Sequence, residues 1–123
     1  MRLSLPRFVL SLVALALVVG SVLIGRRFNR DIALATKRAA QGGVLVSTRC
    51  GPIEYQEAGT GVPLLVAHGS GGGHDQGMAF AGTLARHGVR VIAMSRFGYL
   101  GTPMPADASA AAQADAHVCL LDA

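Results

Sequence analysis

Pro63-Leu64-Leu65-Val66-Ala67-His68-Gly69-Ser70-Gly71-Gly72-Gly73-His74 is the stretch on which the reading of this chain turns. A short continuous apolar run stops abruptly at His68-Gly69, the pattern of a strand buried on both faces. A glycine-rich bend follows. Asp75 to His87 then reads as a helix, with Asp75 as N-cap, Met78, Ala81, Leu84 and Ala85 on one face, and Gly88 as the residue just past its end. Val89-Arg90-Val91-Ile92-Ala93-Met94 comes next as a second buried strand. Strand, helix and strand in so short a span predict a βαβ unit with a parallel pair.

Upstream, Val44–Arg49 and Ile53–Glu57 read as two strands around a Gly51-Pro52 turn, and Gly59-Thr60-Gly61 is a second turn. Downstream, Ser95 to Asp107 is a loop rich in Gly and Pro. Ser109 opens a last helix, with Ala111, Ala114, Val118 and Leu121 expected inward and Gln113, Asp115 and Asp122 outward. Gly42-Gly43 marks a boundary between residues 1–42 and 43–123.

The first of these segments has a different chemistry. Phe8–Ile24 holds seventeen residues without a charge, twelve of them Leu, Val, Ile or Phe, which accounts for a positive mean hydropathy. As a helix it covers roughly 25 Å, a little short of a hydrocarbon core of about 30 Å. Residues 8–24 are therefore expected as a single-pass anchor in contact with membrane lipid. Arg2 and Arg7 before the run would equally suit a signal peptide, but no good small-x-small cleavage site follows it. Arg26–Gln41 continues without a breaker as a basic linker helix, with Phe28, Ile32, Ala35 and Ala39 on a narrow apolar stripe.

The net charge of +4 is carried by that flank. Eight of the eleven basic residues lie at or before Arg49, whereas from Cys50 onward three basic residues face six acidic ones. Cations beside an anchor meet anionic headgroups. A nucleic-acid reader would carry them on its folded part, so that class is excluded. Five basic residues after the anchor, against two and the terminal amine before it, tilt the folded part towards the cytoplasm, by too narrow a margin to settle the side. Cys50 and Cys119 fit no metal or redox spacing and are expected as ordinary packing residues. Four histidines without paired spacing give no metal site, and His74, His87 and His117 read as surface or edge residues.

A glycine bend at the carboxyl end of a parallel strand presents backbone N–H groups to a cleft, where a phosphate or an acyl-transfer oxyanion could bind. Spacing excludes the phosphate motifs. G-x-G-x-x-G needs glycine where His74 or Gln76 stands, and a P-loop needs a lysine, of which there is none after Lys37. His68-Gly69-Ser70-Gly71-Gly72 instead resembles the HGxxG oxyanion loop of the α/β-hydrolase superfamily. Ser95-Arg96-Phe97-Gly98-Tyr99-Leu100-Gly101-Thr102-Pro103 is similar to that family's D-x-x-G-x-G-x-S loop, with Ser95 for Asp, Leu100 for the second Gly and Thr102 for Ser.

The resemblance implies the N-terminal part of an α/β-hydrolase sheet, of about four strands and two helices, behind a transmembrane helix. It implies Ser70 and Gly71 as backbone oxyanion donors and His68, Gly69 and Gly72 as residues shaping the loop. A small-molecule ester or amide would be the substrate of the complete enzyme, with no cofactor. No serine here lies in the G-x-S-x-G that the nucleophile requires, since Ser70 has His68 two residues before it and Ser95 has Ala93. Residues 1–123 are thus expected to be an N-terminal fragment, inactive alone; the alternative is a non-catalytic, membrane-tethered module binding a small anion or a partner.

Overall fold

The computed structural model describes residues 5–123. Arg2, part of the charge reading above, lies outside them. The chain forms two compact units, Met1–Thr36 and Lys37–Ala123. The first is built on α1 (Leu5–Ala39), one continuous helix in which linker and apolar run join. By length and composition it could cross a membrane or serve as a signal sequence, and its apolar side chains are exposed.

The second unit is an α/β fold on a four-stranded mixed sheet. Its strands are β1 (Val44–Thr48), β2 (Gly51–Ala58), β3 (Val62–Ala67) and β4 (Val89–Met94), in the order β1-β2-β4-β3. β1 pairs antiparallel with β2, and β2 with β4. β3 and β4 run parallel, Val62 opposite Val89 and Ala67 opposite Met94, so the βαβ unit is present as expected. α2 (His74–Ala81) and a 3₁₀ segment (Gly82–His87) make the crossover, and α3 (Ala110–Leu121) completes the unit.

The two-residue period of the strands sorts the sheet's faces. Ile53, Ile92 and Met94 pack with Ala116 and Leu120 of α3, joined by Val46, Tyr55, Leu65 and Phe97. The alternate residues face α2, where Gly77 lies against Ala93 and Val66. A Cβ on Gly77 would stand 2.8 Å from Ala93 Cβ, so the missing side chain is what lets this helix sit so close to the sheet.

Several expectations fail for identifiable reasons. The hairpin turns at Arg49-Cys50, because Thr48 pairs with Gly51; Pro52 is already in β2. Thr48 Oγ1 closes that turn, accepting from the Cys50 N–H at 3.1 Å and donating to the Gly51 carbonyl at 2.8 Å. β3 is not covered on both faces: Val62 is 72% exposed, and Leu64 is exposed as well.

The N-cap of α2 is Gly73, and Asp75 Oδ1 instead accepts from the Gly73 N–H at 2.7 Å. The inward residues of this crossover are His74, Gly77 and Ala81, because the tightening to 3₁₀ at Gly82 turns Leu84 outward. Gly88 does close the crossover in the left-handed region, φ 75°.

On α3 the buried residues are Ala116, Cys119 and Leu120, while Val118 and Leu121 are exposed. The helix is apolar nearly all round, and its orientation is set by Gln113, whose Oε1 accepts from the Phe97 N–H at 3.0 Å. Ser109 caps it, accepting from the Ala112 N–H. Cys50 and Cys119 are not separate packing residues but a disulfide, with Cα atoms 6.0 Å apart.

Candidate active site

The carboxyl ends of β3 and β4 lie side by side, Ala67 opposite Met94, so the loops that follow them must meet. The first, His68–Gly73, leads into α2; the second begins at Ser95. His68 joins them. Its ring is buried, with Nδ1 2.7 Å from the Gly69 carbonyl oxygen and Nε2 3.0 Å from the backbone nitrogen of Arg96. Since Nε2 accepts, the proton sits on Nδ1 and is donated to Gly69. Burial holds the His68 pKa below the ordinary histidine value; Arg96 acts in the same direction and the Gly69 bond against it.

Arg96 reaches back over the same bend. Its terminal nitrogen donates to the Gly69 carbonyl at 2.9 Å, and its guanidinium lies 5.2 Å from the centre of the Tyr99 ring. Tyr99 meets the His68 ring edge-on at 4.6 Å, and its hydroxyl is 3.5 Å from the Ser70 carbonyl oxygen. Gly69 thus has its carbonyl held from the β4 side and its N–H held from α2, where Gln76 Oε1 accepts at 2.7 Å.

These bonds divide the loop's amides into two sets. The N–H groups of Gly69 and Gly73 are taken by Gln76 and Asp75. Among the described residues no acceptor meets the N–H of Ser70 or Gly71. Ser70 and Gly71 are exposed to solvent. The geometry therefore leaves adjacent donors free just beyond the strand ends, with the Arg96 guanidinium bonded to this loop from the β4 side, and such an arrangement can bind a small anion. Gly72 is restricted from below: a Cβ there would lie 2.8 Å from Gln76 Cβ.

Beneath the loop is a buried polar cluster that the sequence did not disclose. His74, read as a surface or edge residue, is wholly buried, as is Ser95. Ser95 Oγ donates to Glu54 Oε2 at 2.9 Å and accepts from the His74 N–H at 3.1 Å. The His74 ring faces Glu54, Nε2 to Oε1 3.8 Å, and Gln56, Nδ1 to Oε1 3.2 Å. Gly101 donates its N–H to Glu54 Oε2 at 2.9 Å. Thr102 Oγ1 accepts from the Glu54 N–H and donates to the Ser95 carbonyl. The available signal was alternation in β2: with Ile53 in the core, Glu54 and Gln56 had to share the opposite face.

Leu100, standing where the similar loops carry glycine, adopts the left-handed region at φ 47°. Its side chain lies over Gly73, whose Cβ would come within 2.5 Å of Leu100 Cδ1. His87 is exposed, and His117 is half-buried with its pKa lowered by burial and by Arg96.

This arrangement of sheet and loops is the fold of the α/β-hydrolase superfamily. The chain is similar to an α/β-hydrolase fold protein from Nakamurella multipartita, with 41% identity and TM-score 0.61 over 65% of this chain and 28% of that one. It is also similar to an epoxide hydrolase from an endophytic Streptomyces (30% identity, TM-score 0.58, 68% of this chain and 27% of that one). An esterase from Thermogutta terrifontis matches at 28% identity and TM-score 0.53, over 65% and 31% of the two chains. The chain thus spans less than a third of the length of each of these structures. No family model matches the sequence, and no curated protein is significantly similar to it.

Proposed function

We propose that residues 43–123 belong to an α/β-fold hydrolase that cleaves small ester or amide substrates by acyl transfer, tethered to a membrane through residues 8–24 of an anchor and linker spanning 1–42. The backbone N–H groups of Ser70 and Gly71 are its oxyanion donors, and His68, Gly69 and Gly72 give the loop its shape. The observation that supports this reading is the division of the loop's amides: those of Gly69 and Gly73 are bonded within the protein, while those of Ser70 and Gly71 meet no acceptor among the described residues. Donors fixed in place before the reaction stabilise charge that develops only in the transition state, each worth roughly 3 to 4 kcal/mol. Nucleophile, acid and base must come from outside residues 1–123, because no serine here sits in G-x-S-x-G. Epoxide hydrolysis by one similar structure and ester hydrolysis by another keep the substrate class broad.

The test is hydrolysis of p-nitrophenyl esters by membranes of cells expressing the gene, with Ser70→Ala and Ser70→Pro compared. The alanine keeps the backbone donor and should leave turnover near wild type; the proline removes it and should lower kcat by about 10²- to 10³-fold. Equal loss in both variants would refute the backbone role.

The lack of a nucleophile within these residues favours one other reading, a non-catalytic tethered module that binds a small anion through the same amides. No turnover by the gene product, combined with methylphosphonate-induced amide shifts at Ser70 and Gly71, selects that alternative.

A further inference from the structure

The disulfide between Cys50 and Cys119 ties the β1–β2 turn to the last turn of α3, 69 residues along the chain. Cys119 is buried and Cys50 half-buried, so the bond meets solvent only through Cys50. Arg49, Cys50, Asp115, Val118 and Cys119 line a surface hollow of about 340 Å³. Arg49 bridges its far side, with Nε 3.1 Å from Cys119 Sγ and a terminal nitrogen 3.1 Å from Asp122 Oδ2. A guanidinium against a sulfur favours thiolate over thiol, so Cys119 is the better leaving group when a thiol attacks at Cys50. A bond so placed is within reach of the small thiols that keep cytosolic cysteines reduced.

We propose that the Lys37–Ala123 unit resides on the non-cytoplasmic side of a membrane, in an oxidising compartment, carried there by α1 and clasped by Cys50–Cys119. The clasp closes by thiol–disulfide exchange with an oxidant disulfide, on a protein or a small molecule. The Cys50 thiolate attacks one oxidant sulfur and displaces the other as a thiolate. The Cys119 thiolate then attacks the Cys50 sulfur of the mixed disulfide and displaces the second. The chain loses two electrons and two protons, and the oxidant disulfide gains them as two thiols.

The charges flanking the apolar run oppose this side. Arg26, Arg27, Arg30, Lys37 and Arg38 follow the run, against Arg2, Arg7 and the terminal amine before it. That asymmetry biases helix orientation only modestly, and long segments cross membranes largely regardless of charge. A disulfide reachable through Cys50 forms and persists where an oxidant is supplied, and this requirement is the stronger of the two. A cleaved signal delivers the unit to that side, and a retained anchor does so when its amino end stays in the cytoplasm. The inference does not depend on the hydrolase reading.

The test uses the full chain, expressed in a bacterium with a periplasm. Cells are quenched in acid, and the denatured protein is treated with a maleimide-polyethylene glycol tag either directly or after free thiols are blocked and disulfides reduced. No tag before reduction and two after it are expected, with one tag on Cys50→Ser without reduction. Protease added to spheroplasts should remove an epitope at the C-terminus. Thiols tagged without reduction in the unsubstituted chain, or an epitope cut only after lysis, would overturn the proposal.

Discussion

His68 accepts the Arg96 backbone N–H at Nε2, 3.0 Å away, while its Nδ1 lies 2.7 Å from the Gly69 carbonyl oxygen. One neutral imidazole thereby locks the ends of β3 and β4 to the bend between them, and only the tautomer with its proton on Nδ1 can do both.

A pH dependence follows from this bond. Burial lowers the folded-state pKa of His68 from its ordinary value of 6.5, with Arg96 adding to the effect. The neutral form is therefore favoured by folding. Its contribution to stability is full above the unfolded value and is lost as pH falls through the lower, folded one. Thermal unfolding from about pH 8 to about pH 5 should show Tm declining on the acid side. His117 is shifted in the same direction, so His68→Gln should flatten that decline without abolishing it. An unchanged acid slope in the variant would contradict the assignment.

Gly77→Ala sets two effects against each other. Alanine in a helix gains about 1 kcal/mol over glycine. The new Cβ, however, would lie 2.8 Å from Ala93 Cβ and 3.4 Å from Val66 Cγ1, both on the sheet, where neither can swing aside. Overpacking of this kind costs about 1 to 3 kcal/mol, so urea unfolding should show net destabilisation. A more stable variant would mean that α2 is less closely seated on β4.

Restoring the aspartate that similar loops carry at position 95 should harm this chain. Ser95 is fully buried with Oγ 2.9 Å from Glu54 Oε2, so a second carboxylate would face the first without water between them. Ser95→Asp should lose more stability than Ser95→Ala, for which about 1 to 3 kcal/mol is expected from the unmatched partners. The aspartate variant should also regain stability as pH falls and the pair takes up a proton. Pairing Ser95→Asp with Glu54→Gln should recover much of the loss, as measured by denaturant unfolding.

The disulfide closes a loop of 69 residues, for which chain entropy gives roughly 4 kcal/mol of stabilisation. A unit of this size rarely has more than about 5 kcal/mol in total. Replacing both cysteines by serine, or adding reductant, should therefore bring the denaturant midpoint close to zero. A midpoint unmoved by reduction would show that the core alone sustains the unit.

Features that depend on neighbouring residues were readable from the amino-acid order alone. Val62–Ala67 and Val89–Met94 were legible as strands because an apolar run of that length, closed by glycines, has few other uses, and the short crossover between them left only a parallel pairing. The position of the glycine bend followed from where the first run stops. Gly88, in the left-handed region, and Ser109, as a side-chain cap, were readable for the same reason, since each satisfies its own stretch of backbone.

Which distant groups meet depends instead on how the elements pack. α3 is apolar on nearly every side, so its periodicity fixed no face until Gln113 bonded to Phe97. Cys50 and Cys119 carry no spacing that betrays a pair, and the packing of α3 beside the hairpin turn is what joins them. Glu54, His74 and Ser95 each look like a surface residue in sequence. They become a buried cluster because β2, β4 and the start of α2 converge, and a polar group can be buried only where its partners arrive with it.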